Sequence, residues 1–246
     1  MRLRQHNPDA ETRDALKLTA RRLFATRGID GVSVREIVIQ AGQRNGGSLH
    51  YHFGTKEALV RELVVDGAKL IDDRRTVLLD AIQKRDSPPS LREIIEILVW
   101  PSTNLRHEGS GEDTYIRFIN VLQMSHRQLF LDALENRWNA GYQRCLAHIR
   151  ELLPKVPSLI LNQRLIFMGI YLPAILSSRE TALDEQHGRH HFWSAPYTME
   201  NVIDSIESLL RGPVSAQTHS KIPPSVAGNP IAKRSGGSGR ERDRRP

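Results

Sequence analysis

The sequence holds a single cysteine, Cys145, in 246 residues. An intramolecular disulfide is thereby excluded, and no second thiol exists for a CxxC redox pair or a cysteine-rich zinc site. Long apolar runs are also missing. The two longest stretches, 159–166 and 170–176, are interrupted by Asn162, Arg164 and Pro173 well short of the ~20 residues that span a bilayer. Behind the basic start (Arg2, Arg4) come Asp9, Glu11, Arg13 and Asp14, where a secretory signal would place its apolar region. A cytoplasmic location with no membrane partner is expected. Strand signals are lacking as well, as are a GxSxG elbow, a Walker loop, a GxGxxG after a strand and an HExxH helix. No catalytic residue is assigned, the chain is not expected to be an enzyme, and no cofactor is expected. Cys145, amid Tyr142, Leu146 and Ile149, reads as a helix packing residue.

What is present suits a globular protein. A 39% hydrophobic and 26% charged composition excludes wholesale disorder and a collagen-like fibre, and the length suits one large domain or two small ones. The net charge of +7 is unevenly placed: residues 1–65 hold 11 basic and 7 acidic residues, 66–211 hold 17 and 19, and 212–246 hold 7 and 2. Positive ends around a near-neutral middle are expected where one part meets a polyanion and another buries a core or a ligand. The tail from Gly212, with five prolines, a Ser/Gly run and a final Arg-rich stretch, has no periodic apolar face and reads as a disordered basic tail.

Apolar spacing of three and four predicts an all-α chain of about nine helices. Ala15, Leu16, Ala20, Leu23 and Phe24 share one face of a first helix that stops at Gly28. Ser33 and Glu36 form a capping box for a second, buried through Val34, Ile37, Val38 and Ala41 and ended by Gly42. A short polar segment, 47–53, precedes a long helix capped by Thr55 and running to about Lys84, where Asp86-Ser87-Pro88-Pro89 breaks it. Further helices are expected at 90–104, 112–124, 127–152, 158–178 and 198–211. The predicted organisation is a flexible arm at 1–11, a helix-turn-helix domain at 12–65, a larger helical domain at 66–211 and the tail at 212–246.

A capped helix, a glycine turn and a short polar helix fit a helix-turn-helix whose second helix enters the major groove. Its donors would be Arg44, Asn45, Ser48, His50, Tyr51, His52 and Lys56. The stretch Ser33-Val-Arg-Glu-Ile through Ala41-Gly42, then Leu49-His-Tyr-His-Phe53-Gly-Thr-Lys56-Glu57-Ala-Leu59, resembles the DNA-binding segment of TetR/AcrR-type repressors over about residues 12–63. The resemblance implies phosphate contacts from Tyr51, His52 and Lys56, base contacts near Arg44, Asn45, Gly46, Gly47 and Ser48, and a core role for Phe53. His50 is open between a base contact and solvent. Between Gly42 and Leu49 the chain is one residue longer than the commoner family spacing. The adjacent glycines weaken a helix start by up to ~1 kcal/mol each, so that end is expected to order on DNA.

The same resemblance implies a regulator that binds a palindromic double-stranded operator as a homodimer and is released by a small-molecule effector. For the dimer interface, Leu161, Leu165, Met168, Leu172, Ile203, Ile206 and Leu210 are the candidates, on helices whose apolar residues suggest burial on more than one side. For the effector, Trp100, Asn104, Tyr115, Phe118, Asn120, Met124, Trp138 and Tyr142 offer aromatic and polar groups, with Phe130, His107, Gln123 and His148 nearby in sequence. Two alternatives remain at this stage. One is a metal-sensing regulator using His187, His190 and His191 with Asp184 and Glu185 nearby, although no metal site is assigned. The other is a helical adaptor or enzyme without specific DNA binding.

Overall fold

The computed structural model describes residues 8–105, 113–135, 137–185 and 190–223, in which no strand occurs. The first four helices follow the local signals. α1 (Pro8–Arg27) buries Leu16, Thr19, Ala20, Leu23 and Phe24. It begins four residues before the expected boundary because Pro8 suits a first helical position and Asp9 and Glu11 suit a first turn. α2 (Val34–Gln40) has the expected box: Ser33 Oγ accepts from the Glu36 N–H at 3.2 Å, and the Glu36 carboxylate accepts from the Ser33 N–H at 2.8 Å. α3 (Ser48–Phe53) is short, and α4 (Lys56–Gln83) starts where Thr55 Oγ1 accepts from the Ala58 N–H at 3.0 Å.

The remainder departs from simple periodicity at informative places. α5 (Leu91–Val99) has a second box, Ser90 with Glu93, and gives way to a 3-10 turn at Trp100–Ser102 because Pro101 cannot continue the helix. α6 (Tyr115–Ser125) is followed by α7 (Arg127–Leu134) and α8 (Ala140–Leu152), where a single helix over 127–152 was expected. The chain breaks at Glu135, whose φ of +44° is left-handed. α8 is restarted by a partner distant in sequence: the buried Asp72 carboxylate of α4 accepts from the Gly141 N–H at 2.8 Å. α6 is started in the same way from α9 (Ser158–Glu185), because Glu180 accepts from the Ile116 N–H at 3.0 Å and the Arg117 N–H at 2.7 Å. Burial first, and the neighbouring Asp113 charge second, push the Glu180 carboxyl up to about 8. That role explains why α9 continues seven residues past the expected end.

α6 packs on both α1 and α9, and α4 lies against α7 and α8. α10 (Pro196–Arg211) packs on α5 and α9. The chain as far as Arg211 is one compact unit, so the divide expected at residue 65 is crossed by the unbroken α4 and by the α1–α6 contact. Gly212–Pro246 is a separate unit, and its described part contains the short α11 (Ala216–His219) in place of the expected disorder. There Ser215 Oγ accepts from the Thr218 N–H. Residues 1–7 and 224–246, which include most of the expected arm and the Arg-rich end, lie outside the described residues.

By length and composition α9 is long and apolar enough to cross a membrane, although Asn162, Arg164 and Pro173 interrupt its apolar runs. Its buried residues Leu161, Leu165, Met168, Leu172, Leu176 and Glu180 form one stripe turned into the protein. All seven residues expected at a dimer interface belong instead to the protomer's own core. Leu161, Leu165, Met168 and Leu172 are the inner stripe of α9, while Ile203, Ile206 and Leu210 are the fully buried face of α10. The apolar residues left outside on α9 are Ile166, Phe167 and Ile170, each more than half exposed.

Candidate nucleic-acid interface

The turn between α2 and α3 is built from backbone hydrogen bonds. Gly42, with φ +71°, occupies the position just past the α2 cap; its N–H donates to Ile39 O, and the Gln43 N–H donates to Val38 O, both at 3.0 Å. This Schellman arrangement satisfies the last carbonyls of α2 and requires a left-handed residue that glycine supplies without strain. Asn45 then organises the approach to α3: its Oδ1 accepts from the Gly47 N–H at 2.9 Å, and its carbonyl accepts from Ser48 Oγ at 2.8 Å. Gly46 and Gly47 lie ahead of the helix, so their low helix propensity does not burden it. Unchanged amide-exchange protection of residues 46–50 on adding operator DNA would count against ordering of this end on binding.

Arg44, Asn45, Gly46 and Gly47 are exposed, Ser48 is half-buried, and Leu49 is the buried anchor of α3. Tyr51 is 77% exposed, an unusual position for an aromatic ring in a helical core and a suitable one for a phosphate-contacting hydroxyl. His50 is exposed, but its Nδ1 lies 2.6 Å from the Gly54 carbonyl, to which it donates in the tautomer protonated at Nδ1. The free Nε2 edge remains for a ligand.

Two expected phosphate contacts are otherwise engaged. The His52 side chain is only 6% exposed, set edge-on to the Tyr51 ring and 3.7 Å from Asp9 Oδ1. Lys56 donates from Nζ to the carbonyls of Ile29 and Val32, each at 3.0 Å, and so pins the start of α4 to the α1–α2 loop. Both carbonyls lie in the loop outside any helix; Ile29 O also accepts from the Val32 N–H at 3.3 Å, and Lys56 adds a charged donor to the two of them. Lys56→Met is expected to lower stability by about 1.5–3 kcal/mol, the scale of hydrogen bonds to a charged group, in urea unfolding. An unchanged midpoint would return Lys56 to the DNA surface. Phe53 is partly buried beneath the Arg13 guanidinium, 5.0 Å from its ring centroid, in accord with a core role.

Most cations of this region are held in ion pairs: Arg13 and Lys17 with Glu62, Arg27 with Glu36, and Arg61 with Glu57. Arg44 and Arg35 form no ion pair with any described residue. Arg35 was not among the sequence candidates, although the inward positions Ile37 and Val38 leave it on the outer side of α2.

The eight effector candidates do not converge. Phe118 is core against Phe24, Met124 is 81% exposed, and Trp100 and Asn104 are exposed. Asn120, Trp138 and Tyr142 are half-buried at separate places, Trp138 beneath Lys69 and Tyr142 beneath Arg75. Tyr115 alone of the eight lines the 380 Å³ cavity between α1 and α4. His107 and His187 lie outside the described residues. His190 Nδ1 accepts from the Trp193 N–H, and no cluster of three metal-ligating side chains occurs among the described residues. Cys145 is fully buried, and burial pushes its thiol up to about 11, so it packs as expected and is a poor nucleophile at neutral pH.

A helix-turn-helix that sets an arginine with no described ion pair near an exposed tyrosine has the form of a DNA-binding surface. Residues 18–63 match the family of bacterial regulatory proteins called the tetR family. The HTH-type transcriptional repressor KstR2 of Mycolicibacterium smegmatis is 38% identical over 71 residues, which are 29% of this chain and 34% of that repressor's length. Among solved structures, a chain from Shewanella sp. PV-4 assigned to the tetR transcription regulators has 17% identity and a TM-score of 0.49, covering 81% of this chain and 96% of its own. The TetR family regulator PfmR of Thermus thermophilus has 17% identity and a TM-score of 0.42, covering 81% and 99% respectively.

Proposed function

We propose that the protein is a dimeric transcriptional regulator that represses by occupying a palindromic operator and is released by a small-molecule effector. The observation that carries this reading is the hydrogen-bonded 42–48 turn, with Arg44 in no described ion pair and Tyr51 exposed. The repressor activity named for the partial relative KstR2 supports the sign of regulation. A protein that works on the chromosome belongs in the cytoplasm, and the Glu180-bearing inner stripe of α9 suits a packed helix rather than a lipid-facing one.

The dimer face is the outer side of α9, where Ile166, Phe167 and Ile170 are joined by exposed Gln163 and Ala174 at helical spacing. Contiguous exposed apolar surface of this kind marks an interface, and two-fold pairing would set two α3 helices about 34–36 Å apart, one DNA turn. Ile170→Glu is expected to convert a dimer to a monomer in sedimentation velocity and to weaken operator binding at least ~10-fold, since one half-site contact is lost. A wild-type monomer, or an Ile170→Glu dimer, would refute this face.

Effector release needs little energy. A coupling of about 1–3 kcal/mol changes operator affinity ~5–150-fold.

A further inference from the structure

The cavity between α1 and α4 lies at the place where the DNA-binding helices meet the rest of the chain. Its volume, 380 Å³, falls near the lower end of the roughly 300–1,000 Å³ typical of small-molecule sites. Leu18, Leu63, Leu70 and Leu105 with the Tyr115 ring make an apolar wall, and Asp14, Lys17, Arg21 and Asp66 bring charge to it. These charges are not equivalent. Lys17 is neutralised by Glu62 and Asp66, and Asp14 is exposed to water. Arg21 is different: Nε donates to Thr114 Oγ1 at 3.1 Å, the carboxylates of Asp113 and Glu180 act on it through space, and Nη2 is buried without a hydrogen-bond partner among the described residues. A buried guanidinium nitrogen lacking an acceptor is costly unless something completes it.

We propose that this cavity binds a small organic carboxylate with an apolar body, its carboxylate completing Arg21 and its body lying on the leucines and Tyr115. The site differs from the aromatic set at 100–142 that the sequence favoured. It rests on the regulator reading for its consequence, because Arg21 of α1 holds Thr114 directly ahead of α6. A carboxylate that recruits Arg21 loosens or redirects this tie, shifting α1 against α6 and with it the α2–α3 unit. The apolar body, wedged between Leu18 of α1 and Leu63 and Leu70 of α4, acts on the same two helices.

The test uses octanoate and its uncharged counterpart octanamide, titrated calorimetrically into the full chain and into Arg21→Gln, Arg21→Lys and Leu18→Trp. Octanoate should bind about tenfold more tightly than octanamide, the scale of one charge-assisted hydrogen bond. Arg21→Gln should erase the preference, Arg21→Lys should retain it, and Leu18→Trp, which fills the cavity, should abolish binding. Equal binding of the two probes, no octanoate binding, or binding untouched by Leu18→Trp would overturn the proposal. DNA binding is measured on the same preparations without either probe. Operator binding without octanoate binding removes the site and leaves the regulator, whereas Arg21-dependent octanoate binding without any operator binding does the reverse.

Discussion

Gly67→Ala is expected to destabilise the protein by about 3 kcal/mol or more, where the same exchange in an unobstructed helix would stabilise it by up to ~1 kcal/mol. The sign is set by one contact. A Cβ at Gly67 would lie 2.1 Å from Cε2 of the Tyr115 ring, so the ring or the helix must move. The ring is not free to swing, because Tyr115 is buried and its hydroxyl donates to the Val64 carbonyl at 2.9 Å. Urea unfolding should show the loss, and Tyr115→Leu in the same chain should recover part of it, since the shorter side chain vacates the clash. A neutral or stabilised Gly67→Ala protein would mean that α4 and α6 do not approach through this glycine.

The second large effect falls on DNA affinity and leaves the fold alone. Arg44→Ala removes an exposed guanidinium with no described ion pair, so its stability should remain within about 0.5 kcal/mol of wild type. Operator affinity should fall by about 1–3 kcal/mol per half-site if Arg44 reads a base, and discrimination at one position of each half-site should relax. Should Arg44 contact phosphate instead, binding weakens uniformly across sequences and the salt slope drops by about one. Equal affinity of the variant and wild type at all salt concentrations would remove Arg44 from the interface. Lys56→Met provides the contrast, because its loss should appear in unfolding before it appears in binding.

The difference between these two lysine and arginine roles shows where sequence reading succeeds. Local devices were legible: the Ser33–Glu36 box, the Thr55 cap and the Gly42 stop are short-range hydrogen bonds between neighbours in sequence, and each forms as expected. Long-range capping was not. Asp72 starts α8 from 69 positions away and Glu180 starts α6 from 64, and a polar residue within a helical pattern carries no mark of such a task. The same limit affected the site. Tyr51, Arg44 and the turn stood out by motif, whereas the engagement of Lys56 with Ile29 and Val32 depends on a loop brought in by tertiary packing. On α9, apolar residues on both sides of the helix left inner and outer faces indistinguishable until α6 and α10 covered one of them. The sequence pattern therefore points to Leu161, Leu165, Met168 and Leu172, which the fold buries within the protomer.

Selection of DNA fragments by the purified protein, followed by hydroxyl-radical footprinting of the enriched site, tests the central claim most directly. A dimeric helix-turn-helix regulator should enrich an inverted repeat and protect two half-sites about 10–10.5 base pairs apart on one face of the duplex. Arg44→Ala should lose both protections together. Enrichment of no sequence, or protection of a single site without two-fold symmetry, would contradict the account.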